Sequence, residues 1–213
     1  MNKCHLIDNM KFMLPVPTKF FDLAIVDPPY GIGISLNPFR QKQTKKEWDK
    51  SIPTKEYFIE LMRISKNQII WGGNYFNLPP SQGFVIWDKK QPETFSSSMC
   101  EMAWMSIQAP AKIFRLHVVT AETNKINPCQ KPVKLYKWLL KNYAKPNDKI
   151  FDSHVGSGSI RIACHDMGFD FTGCEIDKDY WEAQEKRFQN HIKQNDLFLP
   201  EELQVSMLQG DLL

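Results

Sequence analysis

Apolar residues are distributed along this chain in two patterns. The first is short and continuous: Leu23-Ala24-Ile25-Val26, Ile69-Ile70-Trp71 and Phe84-Val85-Ile86-Trp87, with Lys149-Ile150-Phe151-Asp152 and Phe169 to Cys174 read as further short strands. Runs of this length without polar alternation suit strands buried on both faces, as in the parallel sheet of an α/β protein. Pro28-Pro29 directly after the first run cannot continue ladder pairing, so that strand must stop. The second pattern repeats at helical spacing. It predicts a helix opened by Pro53 and running through Ser65, with Tyr57, Phe58, Leu61 and Met62 on one side. A second helix begins at Pro132, carries Leu135, Leu139, Leu140 and Tyr143, and ends before Pro146. A third holds Ile160, Ala163, Cys164 and Met167 and stops at Gly168; a long amphipathic one, capped by Asp179, reaches about Gln194. Between Gly83 and Leu116 the pattern is aromatic-rich and strand-like, with a hairpin expected from Ala103–Ile107 and Lys112–Leu116 turning at Ala109-Pro110. Residues 37–50 are polar and basic and read as a loop. Internal repeats and low-complexity tracts are absent.

With 213 residues, 42% hydrophobic and 24% charged, the chain fits one globular domain, 1–213. Its net charge of +3 means that contact with a polyanion must come from a local patch. Cys4, Cys100, Cys129, Cys164 and Cys174 form no CxxC and leave an odd thiol, which fits a reducing compartment better than a disulfide framework. No apolar run approaches the roughly 18 residues of a membrane helix. His5, Asp8, Asn9 and Lys11 interrupt the region where a signal peptide would be apolar. A soluble, cytoplasmic protein is expected.

Two segments carry chemistry. Strand 149–152, Gly156-Ser157-Gly158, a helix, a second strand and Glu175 form a βαβ unit for a nucleotide-like ligand. Glu175 stands where a carboxylate can accept from both ribose hydroxyls. Arg161 occupies the place of the third fingerprint glycine, which disfavours the close approach a pyrophosphate needs and leaves adenosyl ligands without phosphates open. The second segment is Asp27-Pro28-Pro29-Tyr30. The Asp27 carboxylate and Pro28 carbonyl offer two acceptors for the hydrogens of an amine, and the prolines bring no competing N–H. Tyr30 can stack on a base turned out of a duplex.

Together, Asp27 to Tyr30 and Asp152 to Gly158 resemble the catalytic and cofactor motifs of the amino-directed (N6-adenine/N4-cytosine) DNA methyltransferases. The catalytic motif comes first, as in the permuted beta group. Asn127-Pro128-Cys129-Gln130-Lys131-Pro132 is similar to the segment covering the cofactor in that family. Trp71 to Phe76 and the stretch from Phe95 to Trp104 look like small phage or prophage members. The resemblance implies an S-adenosylmethionine-dependent Rossmann-like fold with a mostly parallel seven-stranded sheet and a small target-recognition insertion within 31–123, the cofactor part being 127–194. It implies catalysis by Asp27, Pro28, Pro29 and Tyr30, and S-adenosyl-L-methionine contacts from Lys131, Asp152, Gly156, Ser157, Gly158 and Glu175. The Asp-Pro-Pro-Tyr form is usual for adenine N6. Ser153 and His154 depart from the Asp-Pro-Phe common in the family. A Gly-Asp step near the catalytic motif has weak versions at Asp8 and Gly210-Asp211.

The expected partner is double-stranded DNA, with Arg40, Lys42, Lys45 and Lys46 as phosphate contacts, and the protein a monomer or homodimer. Alternatives are cytosine N4, RNA or a protein amide as acceptor, and a DNA-binding module without catalysis. Cys129 imitates a cytosine-C5 nucleophile but precedes the glycine motif, and Cys164, His165 and Cys174 lack an obvious fourth zinc ligand. No metal is expected.

Overall fold

A computed structural model describes residues 2–33, 49–94, 97–117, 126 and 129–197. Its centre is an eight-stranded sheet in the order β1-β8-β7-β2-β3-β5-β4-β6. In chain order the elements are β1 (Asn2–Leu6), α1 (Asn9–Met13), β2 (Phe21–Val26), α2 (Lys55–Ile64), β3 (Ser65–Trp71), a 3₁₀ turn (Gly73–Tyr75), β4 (Phe84–Asp88), β5 (Cys100–Met105) and β6 (Lys112–Arg115). Then follow α3 (Val133–Tyr143), β7 (Lys149–Asp152), α4 (Ser159–Asp166), β8 (Asp170–Glu175) and α5 (Lys178–Leu197).

The sheet is mixed and mainly parallel. β1–β8, β8–β7, β7–β2, β2–β3 and β4–β6 pair parallel, whereas β5 runs antiparallel to both β3 and β4. The continuous apolar character of β2 follows from burial on two sides. Leu23 and Ile25 join one core cluster with Leu135, Leu139 and Leu140 of α3 and Ile160 and Ala163 of α4. Ala24 and Val26 face the other way, toward Tyr57, Phe58, Leu61 and Ile64 of α2 and Met13 of α1. Helices thus cover both faces, as a doubly wound sheet requires.

All seven strand segments named from the sequence are strands. The eighth is β1, whose Asn-Lys-Cys-His-Leu has no apolar run because it pairs only with β8, at the sheet's edge. The expected hairpin between 103–107 and 112–116 does not form. β4 lies between β5 and β6, pairing antiparallel with the first and parallel with the second. Phe114 packs against Trp138 of α3, rings 5.5 Å apart, so burial against a helix rather than turn chemistry places β6. Asp179 is not the cap of α5: the Tyr180 N–H donates to Asp177 Oδ1 at 3.1 Å, two residues earlier than expected, and Asp179 lies inside the first turn. α2 is capped by Thr54, so Pro53 precedes the helix rather than opening it.

Candidate active site

In this sheet the chain leaves β7 through α4 toward β8, on one side, and leaves β2 through α2 toward β3, on the other. The order therefore reverses between β7 and β2. Open α/β sheets bind ligands beyond the carboxyl ends of the strands at such a point. Leu23 pairs with Ile150 and Ala24 with Phe151. Asp27 and His154 each lie three residues further on, so the Asp-Pro-Pro-Tyr turn and the glycine turn stand side by side.

The turn after β2 is fixed by buried charge. The Tyr30 hydroxyl donates to Asp27 Oδ1 at 2.7 Å. Lys131, just before α3, donates to Asp27 Oδ2 and to the Tyr30 oxygen, the latter at 3.2 Å. Its ammonium also lies 3.1 Å from Glu101 Oε2, while Lys89 holds Glu101 Oε1 at 2.6 Å. The Lys131 side chain is only 2% exposed, so this cation has been removed from water and is stable there only because carboxylates surround it. Burial would lower the Lys131 pKa, but Asp27 and Glu101 outweigh it and raise it. Burial raises the Asp27 carboxyl, with Lys131 opposing. Burial acts the same way on Glu101, yet two lysines overcome it and hold that carboxyl at about 2. Burial, followed by the Asp27 charge, pushes the Tyr30 phenol well above its ordinary range, so it remains a donor. From below, Asp49 pins the turn: its Oδ1 accepts from the N–H groups of Tyr30 and Gly31, each at 2.9 Å.

Across the switch point, Asp152 ends β7, 2% exposed, its Oδ1 accepting from the His154 N–H at 2.9 Å. Burial first, then the Asp27 and Glu175 charges, push its carboxyl well above the usual carboxylate range. At the end of β8, Glu175 accepts from Gly156 N at 2.8 Å through Oε2 and from Asp177 N at 2.9 Å through Oε1. Each oxygen keeps a further lone pair for a ligand hydroxyl. Gly158 caps α4 at φ 76°, and a Cβ there would stand 3.1 Å from Gln184 Oε1. That glycine therefore admits α5 to the turn as well as making the left-handed step. Ser157 is buried, its carbonyl accepting from Arg187 Nη1 at 2.7 Å.

A family model described as DNA methylase, for N6 and N4 enzymes, matches residues 66–186, more than half of the chain. The protein belongs to this family of amino-directed DNA methyltransferases. The match contains the glycine turn and Lys131 and begins beyond Asp27. The Type II methyltransferase M.HinfI of Haemophilus influenzae is 25% identical, over 88% of this chain and 68% of its own. Among solved structures, the M1.HpyAVI–SAM complex shares the fold with a TM-score of 0.61 and 18% identity, covering 88% of this chain and all of that one. The cytosine-N4-specific PvuII DNA methyltransferase does so at 0.62 and 13%, covering 88% and 86%.

Within this DNA methylase, Asp27 to Tyr30 gather with Lys131 in one cluster, while Gly156, Glu175 and Asp152 gather in a second beside it. The Lys131 ammonium is on the Asp27 side. Arg40, Lys42, Lys45, Lys46 and Asn127-Pro128 lie outside the described residues. Glu101, Lys89 and Asp49 were not singled out from the sequence. Asp49 shares the basic stretch 37–50 with a second acid, Glu47, so nothing in the sequence marks it out. Glu101 lies on β5 opposite Trp87 of β4, and Lys89 follows the end of β4, and nothing local marks them. Ser153 and His154 form a polar chain: Ser153 Oγ is 2.6 Å from the Tyr57 hydroxyl and 2.9 Å from His154 Nδ1, and His154 Nε2 is 3.0 Å from Asn9 Nδ2. Burial lowers the His154 pKa to about 4, leaving a neutral ring. Among the described residues no helix is long and apolar enough to cross a membrane.

Proposed function

We propose that the protein transfers a methyl group from S-adenosyl-L-methionine to N6 of adenine at a specific site in double-stranded DNA. The observation that carries this reading is the pairing of β2 with β7, which sets an acceptor-rich turn next to a glycine turn with a ribose-ready acid. The pocket also suits the cofactor's charge. The Asp27 and Glu175 charges add to burial in raising the Asp152 carboxyl's affinity for protons, as carboxylates do where positive charge is wanted. A sulfonium and an ammonium on one ligand meet that need. Gly156, Gly158 and Glu175 would hold its adenosyl part and Asp152 its amino-acid end, and when bound it supplies an electrophilic methyl carbon.

The chain's own groups then act on the base. An exocyclic amine is a weak nucleophile because its lone pair is delocalised into the ring. Asp27 and the Pro28 carbonyl accept its two N–H bonds, favour a tetrahedral nitrogen, and stabilise the positive charge that develops there as the methyl arrives. A carboxylate has about four acceptor positions, so Asp27 can keep Tyr30 and Lys131 while taking an amine hydrogen. Its carboxyl, biased toward protonation by burial, takes up the proton the amine sheds. Tyr30 stacks the extruded base. Lys131, on this reading, belongs to the base side of the site: it opposes the effect of burial on the Asp27 carboxyl and orients it. Arg40, Lys42, Lys45 and Lys46 supply phosphate contacts, and target recognition lies within 31–123.

Adenine rather than cytosine is favoured by the Asp-Pro-Pro-Tyr form of the turn. Labelled methyl transfer to duplex DNA, RNA and protein in parallel, followed by nucleoside analysis, tests the reading. N6-methyladenine in duplex DNA is the expected product. N4-methylcytosine alone would change the base, and cofactor binding with no transfer to any acceptor would overturn the catalytic reading.

A further inference from the structure

Tyr30 does not stand alone. Tyr75, at the end of the 3₁₀ turn after β3, lies nearly parallel to it, ring centroids 5.0 Å apart and planes inclined by 13°. The two rings are held very differently. Tyr30 is fixed at its hydroxyl by Asp27, at its backbone by Asp49, and against the chain at Gly72. A Cβ on Gly72 would come within 2.2 Å of Tyr30 Cε1, and Gly72 sits at φ 70°, so glycine is required for that ring's seat. Phe76 abuts Tyr30 edge-on at 6.2 Å. Tyr75, by contrast, is 43% exposed, on a three-residue turn closed by its own N–H donating to the Gly72 carbonyl at 2.8 Å. A half-exposed aromatic ring laid flat over a fixed one, beside a carboxylate, is the geometry of a stacking slot closed on itself.

We propose that Tyr75 is the second plate of an aromatic clamp: the extruded base enters between Tyr30 and Tyr75, and Tyr75 positions it against Asp27. The inference rests on the function proposed above and adds a substrate-positioning residue to it. Flat stacking accepts any base face, so the clamp supplies holding strength, while Asp27 and Pro28 select the amine. The fixed plate sets the plane of the base. The exposed plate must move outward from its 5.0 Å seat to admit the base and then covers it.

The test uses the full chain and a duplex carrying the site it methylates, with variants Tyr75→Ala, Tyr75→Phe and Tyr75→Trp. Losing one stacking surface should raise KM for DNA by about 5- to 150-fold in Tyr75→Ala. Tyr75→Phe and Tyr75→Trp should stay near the parent, and cofactor affinity by calorimetry should be unchanged in all three. With 2-aminopurine at the target position, the parent complex should be quenched by two rings and the Tyr75→Ala complex brighter. Rescue by tryptophan separates a stacking plate from a merely structural tyrosine. An unchanged or lowered KM in Tyr75→Ala would overturn the clamp while leaving the methyltransferase reading intact. Absence of methylation by the parent protein would overturn both.

Discussion

Replacing Lys131 with methionine gives the most informative perturbation of the site. The side chain keeps its length and loses its charge, leaving Asp27 and Glu101 facing a position that is 2% exposed. Removing one partner of a buried ion pair costs about 3–5 kcal/mol, because the remaining charge is stranded away from water. For a domain of this size each kcal/mol shifts the melting temperature by about 2–4 °C, so the fall should lie roughly between 6 and 20 °C. The pH dependence has a definite sign. In the parent, Glu101 is depressed to about 2, so its stabilisation is complete above the ordinary carboxylate range and is lost as pH falls toward that value. In Lys131→Met the burial of Asp27 is no longer opposed by a cation, and its folded-state pKa rises further above the unfolded one. The native state then binds more protons than the unfolded state, so stability rises on acidification through that window. The gap between variant and parent should accordingly narrow as pH falls from neutrality toward the ordinary carboxylate range. Thermal melts across this range measure it, and Asp27→Asn added to Lys131→Met should restore part of the loss by removing the stranded charge. Equal melting of parent and Lys131→Met at every pH would refute the buried-network argument.

Three further outcomes are expected. Asp27→Ala should lower kcat for methyl transfer by about 10²–10³-fold with cofactor binding retained, since one acceptor for the developing charge is lost; radiolabel transfer and calorimetry report the two quantities. Glu175→Ala frees Gly156 N and removes the ribose acceptor, so KM for S-adenosylmethionine should rise with little change in KM for DNA, and the reverse pattern would misplace the cofactor. Removing one charge from Lys42, Lys45 or Lys46 should reduce the slope of log binding constant against log salt by about one unit, as read by titrating duplex DNA at several salt concentrations.

How much of this was legible in the sequence depends on how local each feature is. The glycine turn, Glu175 and Asp27 to Tyr30 announce themselves because one short segment contains both the residue and the backbone device that presents it. The network around Lys131 does not. Its members come from the ends of β2 and β4, from β5 and from the segment before α3, 104 residues separating Asp27 from Lys131. Only strand pairing brings them together. The hairpin expected at 103–116 failed for the same reason, since β4 separates the two strands and no local signal specifies that intervening partner.

The pairing of β2 with β7 explains how the Asp-Pro-Pro-Tyr turn can precede the glycine turn in this chain and still stand beside it. The site needs β2 beside β7 with their carboxyl ends level, and the Leu23–Ile150 and Ala24–Phe151 register provides this whatever the order of synthesis. β2 is apolar on both faces, with α3 and α4 on one side and α1 and α2 on the other, so only a central position buries it. Slipping its register by one residue would exchange Leu23 and Ile25 for Ala24 and Val26 on each face and would carry Asp27 away from Lys131. The hydrophobic fit of a six-residue strand thus sets the distance from the carboxylate to its cation and, under the proposed function, the geometry offered to the base.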